Sequence, residues 1–138
     1  LDLFCIDKRI GSKALILENS KRLGVKPKFI YEEDINNTLN SKNLSSFKKP
    51  NRLVIGGCDK KTKLKIINTL ANGMRIGDII VIPIIDIISI KELREELENQ
   101  NFKTNLNLIQ TYKSLSIAEG IRLEPNNPVF LLKGKKLN

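Results

Sequence analysis

Short apolar runs alternate along this chain with segments of helical periodicity, and that alternation limits the fold more than any single residue does. Residues 2–7 (DLFCID) read as a buried strand, because Leu3, Phe4, Cys5 and Ile6 form a near-continuous apolar run. From Ile10 to Leu23 the period becomes helical, with Ile10, Ala14 and Leu17 on one face and Gly24 as the stop. Residues 28–32 (KFIYE) predict a second short strand, after which Asp34 is placed to cap a helical turn through Leu39. The polar segment 41–51, with Pro50 near its end, reads as a surface loop. A third strand, RLVIGG at 52–57, closes on paired glycines. Asp59 then caps a helix whose Leu64, Ile67, Leu70, Ala71 and Met74 share a face, and a turn at 72–78 leads into the most apolar strand, IIVIPII at 79–85. Ser89 and Glu92 have capping-box spacing for the next helix. Its Ile90, Leu93 and Leu97 point to a core, and Lys91–Glu95 and Arg94–Glu98 form spaced ion pairs outside. FKTNLNLIQTY (102–112) alternates as a half-exposed strand, a polar loop follows, and PVFLLKG (128–134) is the last strand.

This order predicts an α/β sheet, mostly parallel and covered on both faces, in a single domain spanning 1–138. The final two strands have no helix between them, so the last should run antiparallel to its neighbour. In an open sheet of this kind ligands bind beyond the carboxyl ends of the strands. Asp7, the acidic EED at 32–34, and Gly56–Gly57 all fall there. A carboxylate at such a position has two oxygens to match a vicinal diol. A second acid after the next strand suits an adenine amino group, and glycines let a ligand approach the backbone. Each feature alone has a plainer reading: a helix cap, a solvated turn and a tight strand-to-helix turn.

Composition narrows the chemistry. The chain has no histidine and two cysteines, Cys5 and Cys58, which excludes the common zinc ligand sets, histidine-assisted nucleophiles and a CxxC redox pair. No metal site is expected. No apolar run reaches the length of a membrane span and no signal peptide is visible, so a cytoplasmic location and no membrane partner are expected. A formal charge of +9 favours a polyanionic partner, a polycarboxylate among them, although the lysines are spread along the sequence.

The series FCIDKRIGSKALILENSKRLGV, KFIYEEDINNTL, NRLVIGG, NGMRIGDIIVIPI and NPVFLLKGK resembles the precorrin-6 methyltransferases of cobalamin biosynthesis. Within them it is most similar to the decarboxylating branch that methylates carbon 15 of the corrin precursor. The likeness runs over about residues 3–135. The resemblance implies a class I, Rossmann-like methyltransferase sheet that uses S-adenosyl-L-methionine. By it Asp7 holds the ribose, Asp34 meets the adenine amino group, and the backbone of Ile35 meets a ring nitrogen. Gly56 and Gly57 line the floor near the methionine portion. Lys113 and Arg122, in the 113–127 segment, meet the acetate and propionate chains of a polycarboxylate tetrapyrrole. A homo-oligomer, or a second methyltransferase domain fused upstream, is implied as well. Methyl transfer needs positioning more than side-chain chemistry, so the lack of histidine is no objection.

Two departures from that pattern stand out. The family's first strand and its glycine-rich loop have no counterpart here, and Cys58, Asp59, Lys60 and Lys61 replace the small residues that usually follow the glycine pair. The expectation is a portion of a longer protein that by itself binds S-adenosyl-L-methionine weakly or not at all. The alternative is a non-catalytic basic module for RNA or another polyanion on a decayed methyltransferase fold. Nucleic acid is not the expected partner, since aromatic residues make up 5% of the chain and no RNP motif is present. Another small-molecule or RNA methyltransferase is the third option, with IGGCDKK standing where a motif such as NPPY belongs.

Overall fold

Strand β1 (Phe4–Ile6) lies parallel to β2 (Phe29–Tyr31) with Ile6 opposite Tyr31, and helix α1 (Ser12–Arg22) makes the crossover between them. This computed structural model describes residues 2–40 and 49–137, which form two compact units divided at Lys48/Lys49, each treated by itself. Most of the expected 41–51 loop, residues 41–48, lies outside the described residues. In the first unit, Phe4, Phe29 and Tyr31 stack ring on ring along the two-stranded sheet. Helix α2 (Ile35–Asn40) follows β2 and buries Thr38 and Leu39. Gly24 takes φ +64 just past α1, as a helix stop requires. The face of α1 predicted from Ile10, Ala14 and Leu17 is not a core face: Ile10 is 99% exposed and Leu17 44%. Periodicity alone does not bury a helix; it needs an apolar surface opposite.

The second unit holds a four-stranded sheet in the order β3 (Arg52–Val54), β4 (Ile79–Ile84), β8 (Val129–Lys136), β5 (Phe102–Ile109). Strands β3 and β4 are parallel, and β8 runs antiparallel to both β4 and β5, as expected of the last strand. Helix α3 (Lys60–Leu70) and helix α4 (Ser89–Asn99) supply the cover. Ile80, Ile82 and Ile84 of β4 alternate inward with Leu132 of β8 and Phe102 of β5, against Ile67, Leu93 and Leu97 of the helices. These side chains are at most 2% exposed, and burying each is worth roughly 1.5–3 kcal/mol relative to leaving it in water. Ala71 and Met74, assigned by periodicity to the α3 face, are buried in and just after a 3-10 turn at Ala71–Gly73.

Taken by itself, the second unit leaves the face bearing Arg52, Val54, Ile79, Val81, Lys133 and Lys135 without a helix of its own, and Val54 is 71% exposed. Two sequence expectations change here. The polar segment 113–127 is not a loop but an antiparallel hairpin, β6 (Tyr112–Ile117) and β7 (Gly120–Pro125). Its alternation of Ser and Lys with Leu and Ile is the period-2 signal of a ribbon, diluted by polarity on both faces. Second, Ser89 is the first residue of α4 and not its cap. The cap position falls on Ile88, which offers no side-chain bond, and Asp86 closes the turn leading into the helix, its carboxylate accepting from the Ile88 N–H at 3.0 Å and the Ser89 hydroxyl at 2.5 Å. By contrast Asp59 caps α3 as predicted, accepting from the Thr62 N–H at 2.9 Å.

Candidate functional site

The first unit places its acids at the carboxyl ends of two adjacent parallel strands. β1 and β2 stay in register to Ile6 and Tyr31, and the Asp7 N–H donates to the Tyr31 carbonyl at 3.0 Å, so Asp7 and the EED turn leave one sheet edge side by side. Each carboxylate there has its own work. Glu32 accepts from the Lys13 N–H at 2.9 Å and the Ser12 hydroxyl at 3.4 Å, at the start of α1. These bonds, led by the one from Lys13, hold its carboxyl below the ordinary range. Since Gly11, the cap residue of α1, has no side chain to offer, Glu32 neutralises the free N–H groups from the neighbouring strand end. Glu33 accepts from the Thr38 hydroxyl at 2.7 Å. Asp34 accepts from the Asn36 N–H and its side-chain amide, both at 2.9 Å, and so starts α2, of which Ile35 is the first residue.

Asp7 does not cap α1. Its Oδ1 accepts from the Arg9 N–H at 2.9 Å and from Arg9 Nε at 3.0 Å; its Oδ2 accepts from Nη2 at 2.6 Å and Nε at 3.1 Å. The guanidinium bonds, then the main-chain bond, lower its carboxyl from an ordinary 3.8 to about 2. Asp7 is therefore fully ionised at neutral pH and remains 27% exposed, while Arg9 is 77% exposed. Neither Arg9 as the partner of Asp7 nor Glu32 as the cap of α1 was singled out from sequence. The only signals were the D-x-R spacing and the extra acid in the EED turn.

In the second unit, Gly56 and Gly57 follow β3, where Gly57 takes φ +68 and so uses the conformation that glycine alone adopts cheaply. A Cβ built at either position meets no atom within 4 Å, so the backbone there is open. The bulky residues that follow do not fill that space. Asp59 caps α3, Lys60 reaches Glu92 of α4 at 2.6 Å, and the Lys63 amine donates to the Cys58 carbonyl. Burial pushes the Cys5 thiol up, consistent with an inert strand residue rather than a nucleophile. Lys113 and Arg122 stand on the two strands of the hairpin, and both reach Glu124, at 2.9 and 3.9 Å. The structure thus brings those two cations together through a shared acid. It joins Asp7 to the 32–34 turn within one unit and places the glycine pair in the other. Among the described residues no cluster of metal-ligating side chains occurs, and no helix is long and apolar enough to cross a membrane.

Within the first unit, an ionised carboxylate at one strand end and an acid with a helix start at the next fit an adenosine ligand in kind. No protein-family model matches the sequence. None of the curated proteins matches it either. Solved structures do resemble it. A precorrin-6Y C5,15-methyltransferase from Geobacter metallireducens superposes with a TM-score of 0.77 at 18% identity, over 98% of this chain and 68% of that one. A protein described as precorrin 8W decarboxylase, from Methanobacterium thermoautotrophicum, gives 0.78 at 19% identity, over 96% and 69%. An S-adenosylmethionine-dependent O-methyltransferase from Thermotoga maritima gives 0.65 at 17% identity, over 99% and 50%. At these identities the likeness is one of fold, and the chain has the Rossmann-like α/β fold of the class I methyltransferases, with the last strand inserted antiparallel.

Proposed function

We propose that this chain is part of an S-adenosyl-L-methionine-dependent methyltransferase, and that its substrate is a precorrin methylated at carbon 15 with loss of a carboxyl group. The observation that carries the reading is the sheet edge where Asp7 and Asp34 leave adjacent parallel strands, on the fold shared with the structures above. Asp7 accepts from the ribose hydroxyls, and Asp34 and the backbone of Ile35 address the adenine edge. Gly56 and Gly57 let the methionine portion and the acceptor carbon approach the backbone. The cofactor supplies a methyl group on a sulfonium, and the protein orients donor and acceptor along one line. Lys113 and Arg122 carry positive charge toward the carboxylates of the tetrapyrrole, with Glu124 holding both side chains until the substrate replaces it. Two-stranded pairing of this length is marginal, so the chain alone should bind the cofactor weakly or not at all. A homo-oligomer, or a fused second methyltransferase domain, in the cytoplasm remains part of the proposal.

The test is titration of S-adenosylhomocysteine into the protein as its gene encodes it, with the Asp7→Asn and Asp34→Asn variants, followed by methyl transfer from labelled cofactor to precorrin. Each variant should weaken binding by about tenfold or more, the scale of one charge-assisted hydrogen bond to a ligand. Unaltered binding in Asp7→Asn would remove the site. Transfer to an unrelated acceptor, with none to precorrin, would keep the reaction class and discard the substrate.

A further inference from the structure

We infer that Arg9 is a built-in competitor for the proposed cofactor site, occupying the Asp7 carboxylate where the ribose diol would bind, so that it sets how strongly the site prefers a ribose with both hydroxyls. The inference rests on the reading of Asp7 as the ribose acid and goes beyond it. A carboxylate offers about four lone-pair positions. Among the described residues, the four contacts to the Asp7 carboxylate all come from Arg9, between 2.6 and 3.1 Å: the main-chain N–H to Oδ1, Nη2 to Oδ2, and the single Nε–H shared between both oxygens. The guanidinium bridges both oxygens through Nε and Nη2. A vicinal diol that spans the carboxylate in the same two-point manner has to exchange with it rather than add to it.

Arg9 is not needed to make Asp7 an anion. An ordinary aspartate, at 3.8, is already ionised at neutral pH. What the guanidinium contributes at pH 7 is occupancy. It is not needed for aim either, because one of the four bonds comes from the Arg9 main-chain N–H and survives any change of side chain except proline. Removing the guanidinium leaves an ionised carboxylate, still held through Oδ1, with the remaining positions open. Arg9 is 77% exposed, has Asp7 as its partner, and can swing into water without leaving a buried charge behind. The exchange is thus local: one exposed side chain moves, and the strand end does not.

The experiment compares S-adenosylhomocysteine with its 2′-deoxy counterpart on the protein as its gene encodes it, in wild type, Arg9→Met, Arg9→Lys and Asp7→Asn, by calorimetric titration at low and at 0.5 M salt. Arg9→Met should bind the diol ligand about two- to fivefold more tightly, the range of a solvent-exposed ion pair. Its preference for the diol over the deoxy ligand should rise by a similar factor. Arg9→Lys, which keeps the charge but not the fork, should fall between. The gap between wild type and Arg9→Met should shrink at 0.5 M salt, where the exposed pair is screened. Equal or weaker diol binding by Arg9→Met, with an unchanged diol preference, overturns the inference. If Asp7→Asn still loses the preference in that case, the ribose reading stands without the competitor. If Asp7→Asn leaves the preference intact, or if no variant binds either ligand, the ribose reading and the inference fall together.

Discussion

A methyl group at position 134 would stand 3.2 Å from Phe102 Cδ1 and 3.3 Å from Leu97 Cδ1. Gly134 is in β8, opposite Ile80 on one side and Thr104 on the other, so the neighbouring strands leave little room for the backbone to retreat. Gly134→Ala should lose about 1–3 kcal/mol of stability in urea unfolding, the usual range for overpacking a tight core, and Leu97→Val in the same chain should recover part of that. Capping is the other prediction at this scale. Asp86→Ala removes both side-chain bonds at the start of α4 and should cost about 1 kcal/mol, whereas Glu92→Gln, the other half of the expected capping box, should cost far less at that helix end. Acid stability follows from the same groups. Asp7 sits at about 2 in the folded chain against an ordinary 3.8, and Glu32, Asp59, Asp86 and Glu98 are lowered by hydrogen bonds as well. Depressed folded values mean that the stabilisation is present above about pH 4 and drains away as pH falls through the folded values. Thermal midpoints should therefore drop between about pH 4 and pH 2. A carbon-detected NMR titration should find the Asp7 carboxyl near 2 in wild type and higher in Arg9→Met, though still below its ordinary value because the main-chain bond remains. The caps Asp34 and Asp59, and the position of Asp7 at a strand end, were legible in the sequence because acids at helix starts follow simple rules and apolar runs mark strands. Arg9 and Glu32 were not, because one depends on a side chain folding back over two residues and the other on a strand pairing.

At the scale of elements, strands β1, β2, β3, β4, β5 and β8 and the four helices all follow from apolar runs and periodicity, with ends shifted by a few residues. Strand β5 stops at Ile109 rather than continuing to Tyr112, and β8 extends to Lys136 past the expected glycine. Lys136 shows why the second boundary was hidden. Its amine donates to the Gln100 carbonyl at 2.6 Å and lies 4.8 Å over the Phe102 ring, so a lysine serves as an inward-facing strand residue. The hairpin β6–β7 is hidden for a related reason: polar residues stand on both faces of its ribbon and dilute the alternation, and its Tyr112, Ile121 and Leu123 are 59%, 73% and 68% exposed. Its register sets Lys113 opposite Glu124. Glu124→Gln should change overall stability by less than about 1 kcal/mol, as exposed ion pairs do. If tetrapyrrole binding lies here, the same change should alter its affinity measurably, since it frees both cations.

For the molecule as a whole, the charge that looks scattered in sequence is partly gathered by the sheet. Lys103 of β5 lies directly opposite Lys135 of β8, Lys135 faces Ile79, and Ile79 faces Arg52, so that a single row across four strands carries three cations. Lys133 stands one position along the same face, against Asn105 and Val81. Like charges directly across a ladder are destabilising by roughly 0.2–1 kcal/mol. Lys135→Gln should therefore raise the thermal midpoint slightly. Added salt should stabilise wild type more than the variant, a comparison that scanning calorimetry at two ionic strengths can make. Composition gave the surplus of charge, but only the pairing of strands far apart in the chain places these lysines side by side.

That pairing also sets a timetable. Strands β4 and β5 do not touch each other; each is hydrogen-bonded to β8, which lies between them and comes later in the chain than either. While the chain is being made, β4 and β5 both wait with an open edge until residues 129–136 leave the ribosome. Closing the sheet is then a late, long-range event, since Ile79 meets Lys135 only after everything between them has been synthesised. A stalled or shortened product lacking residues 129–136 presents β4 and β5 each with an open edge where β8 belongs. It is that nascent species, rather than the finished fold, that quality control in the cell would have to recognise.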